Sequence, residues 1–257
     1  MANNRLPAGY NPFMRRRFFV DRFDGTSATL AGDAAEHLGR VLRAEPGQLY
    51  ELSDGRQVWL GRVERVGLLK RGENRIEFSL VERLEARGPA LSIQLLLSIV
   101  KFDRFEWCLE KAAELGASEI IPLAAARSDK PLLAAAGKRS ERWARILLES
   151  AQQSRRLRAP LLRELKQPRA AFGESRADCK IVLSERREAP SMRSVLANAR
   201  GAPVAALAIG PEGGWTEEEF HEAAGAGFAE ASLGENILRT ETAALAALAV
   251  LRFALDE

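Results

Sequence analysis

Five consecutive residues, Gly-Pro-Glu-Gly-Gly at Gly210–Gly214, have the types and spacing that bring a ligand against bare backbone. Glycine adopts positive φ angles and leaves room where a ligand must approach the main chain closely. The apolar run Leu207–Ile209 comes directly before the loop and predicts a buried strand that ends there. Small-molecule sites of α/β proteins concentrate in loops between a strand and a helix. A simple connecting turn is the alternative interpretation.

The residues after this loop predict a well-defined helix. Thr216 and Glu219 have the spacing of a capping box, in which a Thr N-cap is answered by Glu three positions later. Trp215 and Phe220 have the spacing of a hydrophobic staple around it. The loop is therefore expected to join a strand to a helix.

A second segment, Leu233–Ala243, runs from a loop into an Ala/Leu-rich helix that continues to Leu255. Four polar residues, Arg239–Thr242, are consecutive there, although one cap is enough to start a helix. Thr240 or Thr242 can provide that cap. The additional polar groups indicate a site as well as a helix boundary.

Together the two segments resemble the RsmE family of SPOUT methyltransferases, which methylate N3 of a uridine in 16S ribosomal RNA. The family motifs occur without substitution at Ile209–Gly214 and Leu233–Ala243. Further matches are Lys101 with Glu110–Gly116, and Arg16–Val20 near the N-terminus. The N-terminal match continues at His37-Leu38, Val41–Arg43 and Pro46-Gly47. The resemblance extends over the chain from about residue 14 onward.

The resemblance implies an α/β fold with two domains. Residues 14–87 would form a small PUA-like β-barrel that binds RNA, after a flexible tail at residues 1–13. Residues 88–257 would form the SPOUT domain, a parallel sheet flanked by helices with a deep trefoil knot. S-adenosylmethionine would bind in the knot in a bent shape, and two chains would form a homodimer.

The pattern of apolar runs agrees with such a division. Before Pro89, short strand-like segments are separated by polar turns, a pattern that is typical of a small β-barrel. After Pro89, strand-like and helical segments alternate, and this alternation indicates a parallel α/β sheet. In the first part, strands are predicted at Arg17–Val20, Gln48–Ser53, Val58–Val66 and Arg75–Val81, and a helix capped by Asp33 at Asp33–Leu42. In the second part, strands are predicted at Leu91–Ile99, Glu119–Leu123, Lys180–Ser184, Val204–Ile209 and Ala229–Leu233, and helices at Asp103–Leu115, Ser140–Arg155 and Glu217–Gly225. Trp107 and Trp143 fall on apolar helix faces and are expected in the core.

The family resemblance implies that the cofactor is held by three segments. The implied contacts are Leu183, Ser184, Glu185, Ile209, Gly210, Pro211, Glu212, Gly213, Leu233, Gly234, Ile237, Leu238 and Thr240. Ser184 and Glu185 could equally be ordinary loop residues.

Methylation at uracil N3 requires the imide proton to be removed, and a guanidinium near the base would stabilise the negative charge that develops on O2 or O4. The catalytic candidates are Arg17, Arg156 and Arg239. Glu241 could act as the base or could pair with Arg239, and we favour the structural role.

Basic residues suggest where RNA would bind. The expected contacts are Arg15, Arg16, Lys101, Arg155 and Arg158. A run of charge is ordinarily a solvated face, and the family match is what makes it a phosphate-binding surface here. Leu157 stands where the family usually has Asn, which puts in doubt any role of an amide at that position.

Composition is compatible with these expectations and excludes several alternatives. A net charge of +3 over 257 residues is compatible with an RNA partner. Neither a Gly-x-Gly-x-x-Gly sequence nor a P-loop is present, and no disulfide, metal site, signal peptide or membrane span is indicated. We therefore predict a cytoplasmic S-adenosylmethionine-dependent methyltransferase acting on N3 of a 16S rRNA uridine in the small ribosomal subunit. The alternatives are a SPOUT enzyme for another RNA base and a non-catalytic RNA-binding or ribosome-assembly protein.

Overall fold

The computed structural model describes residues 16–68, 74–86, 88–199 and 201–255. These residues form two compact units. The first comprises the described residues up to Gly88 together with Ala151–Arg158, and the second comprises Pro89–Ser150 and the residues from Ala159 onward. The predicted tail at residues 1–13 and the predicted RNA contact Arg15 lie outside the described residues.

The first unit is built on a six-stranded sheet in the order β1-β4-β5-β6-β3-β2. Its strands are β1 (Arg17–Phe19), β2 (Phe23–Asp24), β3 (Ser27–Ala31), β4 (Leu49–Ser53), β5 (Val58–Gly67) and β6 (Arg75–Leu84). Strand β1 pairs in parallel with β4, and the other neighbours are antiparallel. Residues of alternating strand positions, such as Ala28 and Leu30, point into one apolar core.

The predicted first helix is present, although its second half is π-helical, and its predicted cap is wrong. Helix α1 spans Gly32–Glu36 and continues as one π-helical turn at His37–Val41. Ala31 precedes the helix as its N-cap, and no side chain caps it. Asp33 lies inside the first turn, where its charge still complements the helix dipole.

The second unit contains a six-stranded sheet in the order β12-β10-β11-β7-β8-β9, and all its neighbouring strands are parallel. Its strands are β7 (Ser92–Ser98), β8 (Ala117–Leu123), β9 (Leu161–Leu162), β10 (Cys179–Leu183), β11 (Val204–Ile209) and β12 (Ala229–Ala231). Its helices are α2 (Phe102–Glu114), α3 (Lys130–Ala136), α4 (Ser140–Gln153), α5 (Pro168–Glu174), α6 (Met192–Leu196), α7 (Glu217–Gly225) and α8 (Thr240–Leu255), and the last residues of α4 belong to the first unit. The predicted parallel α/β sheet is confirmed.

Successive residues of the central strands enter two separate apolar cores. Leu95 and Leu207 belong to one core, whereas Leu96 and Ala208 belong to the other. Because both faces are covered, the strands are apolar throughout, as parallel strands usually are. No helix among the described residues has the length and apolarity that crossing a bilayer would require.

Two tryptophans predicted to be core residues have different environments. Trp143 is buried against Phe105 of α2, so that prediction is confirmed. Trp107, also on α2, is 45% exposed, and its predicted burial is wrong. Its periodicity marks an apolar helix face, but nothing in the second unit covers this part of that face among the residues described.

Candidate active site

A cavity of about 240 Å³ lies in the second unit at the carboxyl ends of β10 and β11. These two strands are neighbours, and β12 pairs with β10 on the other side. The loops that follow the three strands therefore converge at one edge of the sheet. This is the edge at which open α/β sheets bind ligands.

Most of the residues that the sequence predicted to contact a cofactor line this cavity. They are Leu183, Ser184, Glu185, Ile209, Gly210, Pro211, Leu233, Gly234, Ile237, Leu238 and Thr240. Glu212 and Gly213 are not in its wall. Glu212 instead forms an ion pair with Arg104, and the carbonyl of Gly213 accepts a hydrogen bond from Arg127.

A Cβ would be crowded at all three glycines of the loop, and at Gly213 it would lie 3.1 Å from Cβ of Arg127. A Cβ at Gly210 would lie 3.1 Å from the indole ring of Trp215, whose Nε1 donates to the carbonyl of Leu183 at 3.0 Å. Gly214 has a φ of +70°, and a Cβ there would lie 2.7 Å from a carboxylate oxygen of Glu185. The glycines thus let the loop lie against the end of β10.

The helix after the loop begins as predicted. The Thr216 hydroxyl accepts from the backbone N–H of Glu219, whose carboxylate accepts from the backbone N–H of Thr216, so the capping box is confirmed. The other carboxylate oxygen of Glu219 accepts from the backbone N–H of Ala126 at 2.8 Å. One buried side chain thus caps α7 and ties it to the segment after β8.

The second predicted segment closes the cavity and contacts the first. Helix α8 begins at Thr240, whose hydroxyl donates to the carbonyl of Gly210 at 3.3 Å. Arg239 is exposed and is not in the cavity wall, although its carbonyl accepts from the N–H of Ala243 at 2.8 Å. Its two neighbours in the chain, Leu238 and Thr240, do line the cavity.

Arg127 is a cavity residue that the sequence analysis missed. Its guanidinium donates to the carbonyls of Gly213 at 2.9 Å and Trp215 at 3.1 Å, and its side chain lines the cavity. The available signal was its position, four residues after the end of β8, at the edge of the sheet where the other loops meet. The sequence alone does not reveal which of the many arginines occupies that edge.

The first unit brings together two of the predicted arginines. Arg17 donates through Nε and NH2 to Glu51 at 3.2 and 3.0 Å, and through NH1 to the carbonyl of Arg155 at 2.7 Å. The guanidinium of Arg155 also pairs with Glu51. Glu51 is 2% exposed, so a buried carboxylate lies between the buried guanidinium of Arg17 and the partly exposed guanidinium of Arg155.

Charge compensation governs the ionisation of Glu51. Burial alone would raise its pKa, but the hydrogen bond and charge of Arg155, followed by those of Arg17, outweigh burial and lower the pKa. The carboxylate is therefore ionised in the folded protein at neutral pH. Arg17 and Arg155 are joined to it, so their guanidinium groups already have protein partners.

The remaining basic candidates differ in the exposure of their side chains. Arg158 and Lys101 are exposed, and Arg16 lies 3.2 Å from Nε2 of His37. Arg156 is half-buried, and its backbone N–H donates to the carbonyl of Ala151 at 2.9 Å. Leu157, which replaces the usual Asn, accepts a hydrogen bond from Ser53 through its backbone carbonyl at 2.7 Å.

A parallel α/β domain with a cavity between the loops at the carboxyl edge of its sheet defines a small-molecule-binding protein. The family model for the RNA methyltransferase domain matches residues 87–252, so the chain belongs to that family. This match, together with relatives named ribosomal RNA small subunit methyltransferase E, confirms the resemblance to the RsmE family.

The chain is similar to a ribosomal RNA small subunit methyltransferase E from Synechocystis, with 31% identity over 90% of this chain and 74% of the relative. Among solved structures, it is similar to the methyltransferase E of the same name from Neisseria gonorrhoeae bound to S-adenosylmethionine. That match has 30% identity and a TM-score of 0.81, and it covers 94% of this chain and 98% of the other. A methyltransferase from Legionella pneumophila, also in complex with this cofactor, has 31% identity and a TM-score of 0.81 and covers 95% and 99% of the two chains.

Proposed function

We propose that this protein transfers the methyl group of S-adenosylmethionine to N3 of a uridine in 16S rRNA of the small ribosomal subunit. The observation that carries the proposal is the convergence of Ile209–Pro211 and Leu233–Thr240 on one cavity. These are the segments whose sequences match the family motifs. The substrate would bring the enzyme to the small subunit in the cytoplasm.

The chemistry of the cavity wall fits this cofactor. Leu183, Ile209 and Leu233 offer apolar surface for an adenine ring, and glycine positions allow ring and ribose to approach the backbone. Carboxylates of Glu185 and Glu235 can accept hydrogen bonds from ribose hydroxyls or from the α-amino group.

The cofactor supplies a methyl group on a sulfonium, which is already an electrophile. The chain must therefore hold the acceptor nitrogen in line with that methyl group and assist the departure of the N3 proton. We propose that Arg239, exposed beside the cavity, stabilises the negative charge on a uracil oxygen, and that Arg156 is the second candidate for this role. Direct contact of Arg17 with the base stays a prediction, and its bonds to Glu51 and Arg155 support a positioning role in the first unit.

We propose that the second unit has the trefoil knot of the SPOUT fold and that the first is a PUA-like barrel. Support for the knot comes from the chain after β12. The N–H of Ser232 donates to the carbonyl of Pro190, and the N–H of Met192 donates to that of Ser232, both at 2.8 Å. The segment that leads to α8 is therefore bonded to the connection between β10 and β11, which is where a thread through that connection would lie.

Homodimer formation is supported by apolar surface on the two helices that pack against each other in the second unit. Phe253 of α8 is 93% exposed, and Trp107 of α2 also reaches solvent. Exposed large aromatic groups on paired helices are typical of surfaces that a partner covers. We propose a second copy of this chain as that partner.

The decisive experiment is incubation of the pure protein with labelled S-adenosylmethionine and separated ribosomal subunits, followed by mapping of the modified nucleotide. We expect one N3-methylated uridine in the small subunit. Label on another base would favour the alternative that the protein is a SPOUT methyltransferase for a different RNA base. Binding to the subunit without label transfer would favour a non-catalytic assembly role, and a mutant lacking cofactor binding is the control.

A further inference from the structure

Arg104 of α2 contacts an acidic residue from each of the two motif segments. Its NH1 donates to Glu212 of the glycine loop, and its Nε lies 3.8 Å from Oε1 of Glu241 in the first turn of α8. One guanidinium thus connects the two segments that wall the cavity.

The two acidic residues belong to the motifs but not to the cavity wall. Their side chains therefore contribute to the site indirectly. Glu241 is only 14% exposed, and its Oε2 is buried without a hydrogen-bond partner among the described residues. A mostly buried carboxylate is costly unless a cation lies nearby, and Arg104 is the cation beside it.

The position of Arg104 is set by a firmly packed helix. Phe105, Cys108 and Leu109 on α2 are buried in the larger apolar core of the second unit. The backbone that carries Arg104 is therefore held by this core, and its position does not depend on the two ion pairs. The ion pair with Arg104 places the carboxylate of Glu241 against α2, where burial, together with the charge of Glu241, raises the pKa of Cys108 to about 12.

We propose that Arg104 is a positioning residue that sets the separation of the two cofactor-binding segments. This inference rests on the proposed function, because it concerns the affinity of that cavity for S-adenosylmethionine. Arg104 does not line the cavity itself and acts through Glu212 and Glu241. The bond from Thr240 to Gly210 joins the same segments on the inner side, so Arg104 provides a second, electrostatic link.

Removal of the guanidinium would leave two neighbouring carboxylates without the cation they share. Their repulsion would move the glycine loop away from the start of α8 and widen the cavity. The effect should therefore depend on the charge of Glu241, whereas simple loss of packing should not.

The test compares Arg104→Ala, Arg104→Lys and the double variant Arg104→Ala/Glu241→Gln by calorimetry with S-adenosylmethionine. We expect Arg104→Ala to weaken binding roughly tenfold and to raise the KM for the cofactor with kcat nearly unchanged. The double variant should recover part of the affinity. The affinity of Arg104→Lys should lie between those of wild type and Arg104→Ala, because an ammonium keeps the charge but lacks the planar, bidentate geometry of a guanidinium. The matched control is Arg142→Ala, which removes an ion pair to Glu106 of the same helix and should bind as wild type.

Each outcome bears on a distinct claim. A wild-type protein that does not bind the cofactor would overturn the proposed function and this inference with it. A wild-type protein that binds, with an Arg104→Ala variant of equal affinity, would overturn the positioning role alone. A third outcome is that the double variant Arg104→Ala/Glu241→Gln binds as weakly as Arg104→Ala and that Arg142→Ala loses as much affinity. This result would mean that Arg104 has only a general structural role. Glu212→Gln provides an independent check if Arg104→Ala fails to fold, because it removes one contact and should weaken binding in the same direction.

Discussion

At the scale of single residues, the buried carboxylate of Glu51 is the clearest case of one side chain serving several others. It accepts from Arg17 and Arg155, which are separated by 138 positions in the chain. The guanidinium of Arg17 is buried beside this carboxylate, whereas the side chain of Arg155 is partly exposed. Arg17, a predicted catalytic residue, and Arg155, a predicted RNA contact, are thus joined through Glu51 within the first unit.

Glu51→Gln should destabilise the first unit at pH 7 by roughly 2 kcal/mol, because the neutral amide no longer compensates two guanidinium charges. The pKa of Glu51 is lowered from its ordinary value of 4.5, so its stabilisation is complete above that pH and is lost as the pH falls through the folded-state value. Urea unfolding at several pH values should show the difference between wild type and variant shrinking below about pH 4.5. Glu82→Gln, at an exposed position of β6, is the control, and a pH-independent difference would contradict this account.

Gly210→Ala should weaken S-adenosylmethionine binding about tenfold, equivalent to about 1.4 kcal/mol, because the new Cβ presses on Trp215. The backbone of Gly210 does not have a positive φ, so the effect comes from this contact and not from strain. Calorimetry would measure the affinity. Gly225→Ala is the matched control, since a Cβ there meets nothing within 4 Å, and equal losses in both variants would remove the special role of Gly210.

At the scale of helices and strands, local sequence signals were sufficient where one short segment determines its own structure. The capping box at Thr216 and Glu219 needs only four residues, and the apolar run before Gly210 marks the end of β11 by itself. Asp33 is a residue type that favours the N-cap position, but it does not cap α1, because the chain enters this helix directly from β3. Contacts between distant residues, such as Arg104 with Glu212 or Arg17 with Arg155, have no local signal. Their identification required the fold.

Thr216→Ala should cost about 1 kcal/mol of stability, because α7 loses its side-chain cap. Glu219 would also lose one of the groups that orient it toward Ala126, so the segment carrying Arg127 should loosen. Hydrogen exchange at the start of α7 and after β8 would measure the effect. Thr216→Ser keeps the hydroxyl and should behave as wild type, and equal exchange in the Ala and Ser variants would argue against the cap.

At the scale of the whole molecule, the two units are expected to contribute different parts of the activity. Arg158→Ala should weaken binding to the small ribosomal subunit and lower the salt slope by about 1, the value for one phosphate contact. Cofactor affinity should not change, since Arg158 belongs to the first unit. Filter binding over a salt series would test this against Arg193→Ala, an exposed arginine of α6. Equal salt slopes for wild type and Arg158→Ala would show that Arg158 does not contact a phosphate.

Phe253→Asp should convert a dimer to monomers, because a charge would replace an apolar group on the proposed contact between copies. Light scattering would give the mass of each variant. Val41→Asp introduces the same charge at an exposed apolar position of the first unit and should leave the mass unchanged. A monomeric wild-type protein would exclude the proposed dimer.

The membership of Ala151–Arg158 in the first unit has a consequence for biosynthesis. Chains emerge from the ribosome with the N-terminus first, and domains usually fold in that order. Here Glu51 and Ser53 bond to Arg155 and Leu157, which are synthesised about a hundred residues later. These bonds cannot form until that part of the chain has been made. A nascent chain that ends at Gly88 would hold a sheet whose buried carboxylate lacks Arg155, so the N-terminal unit reaches its final structure only after more than half of the chain has been made.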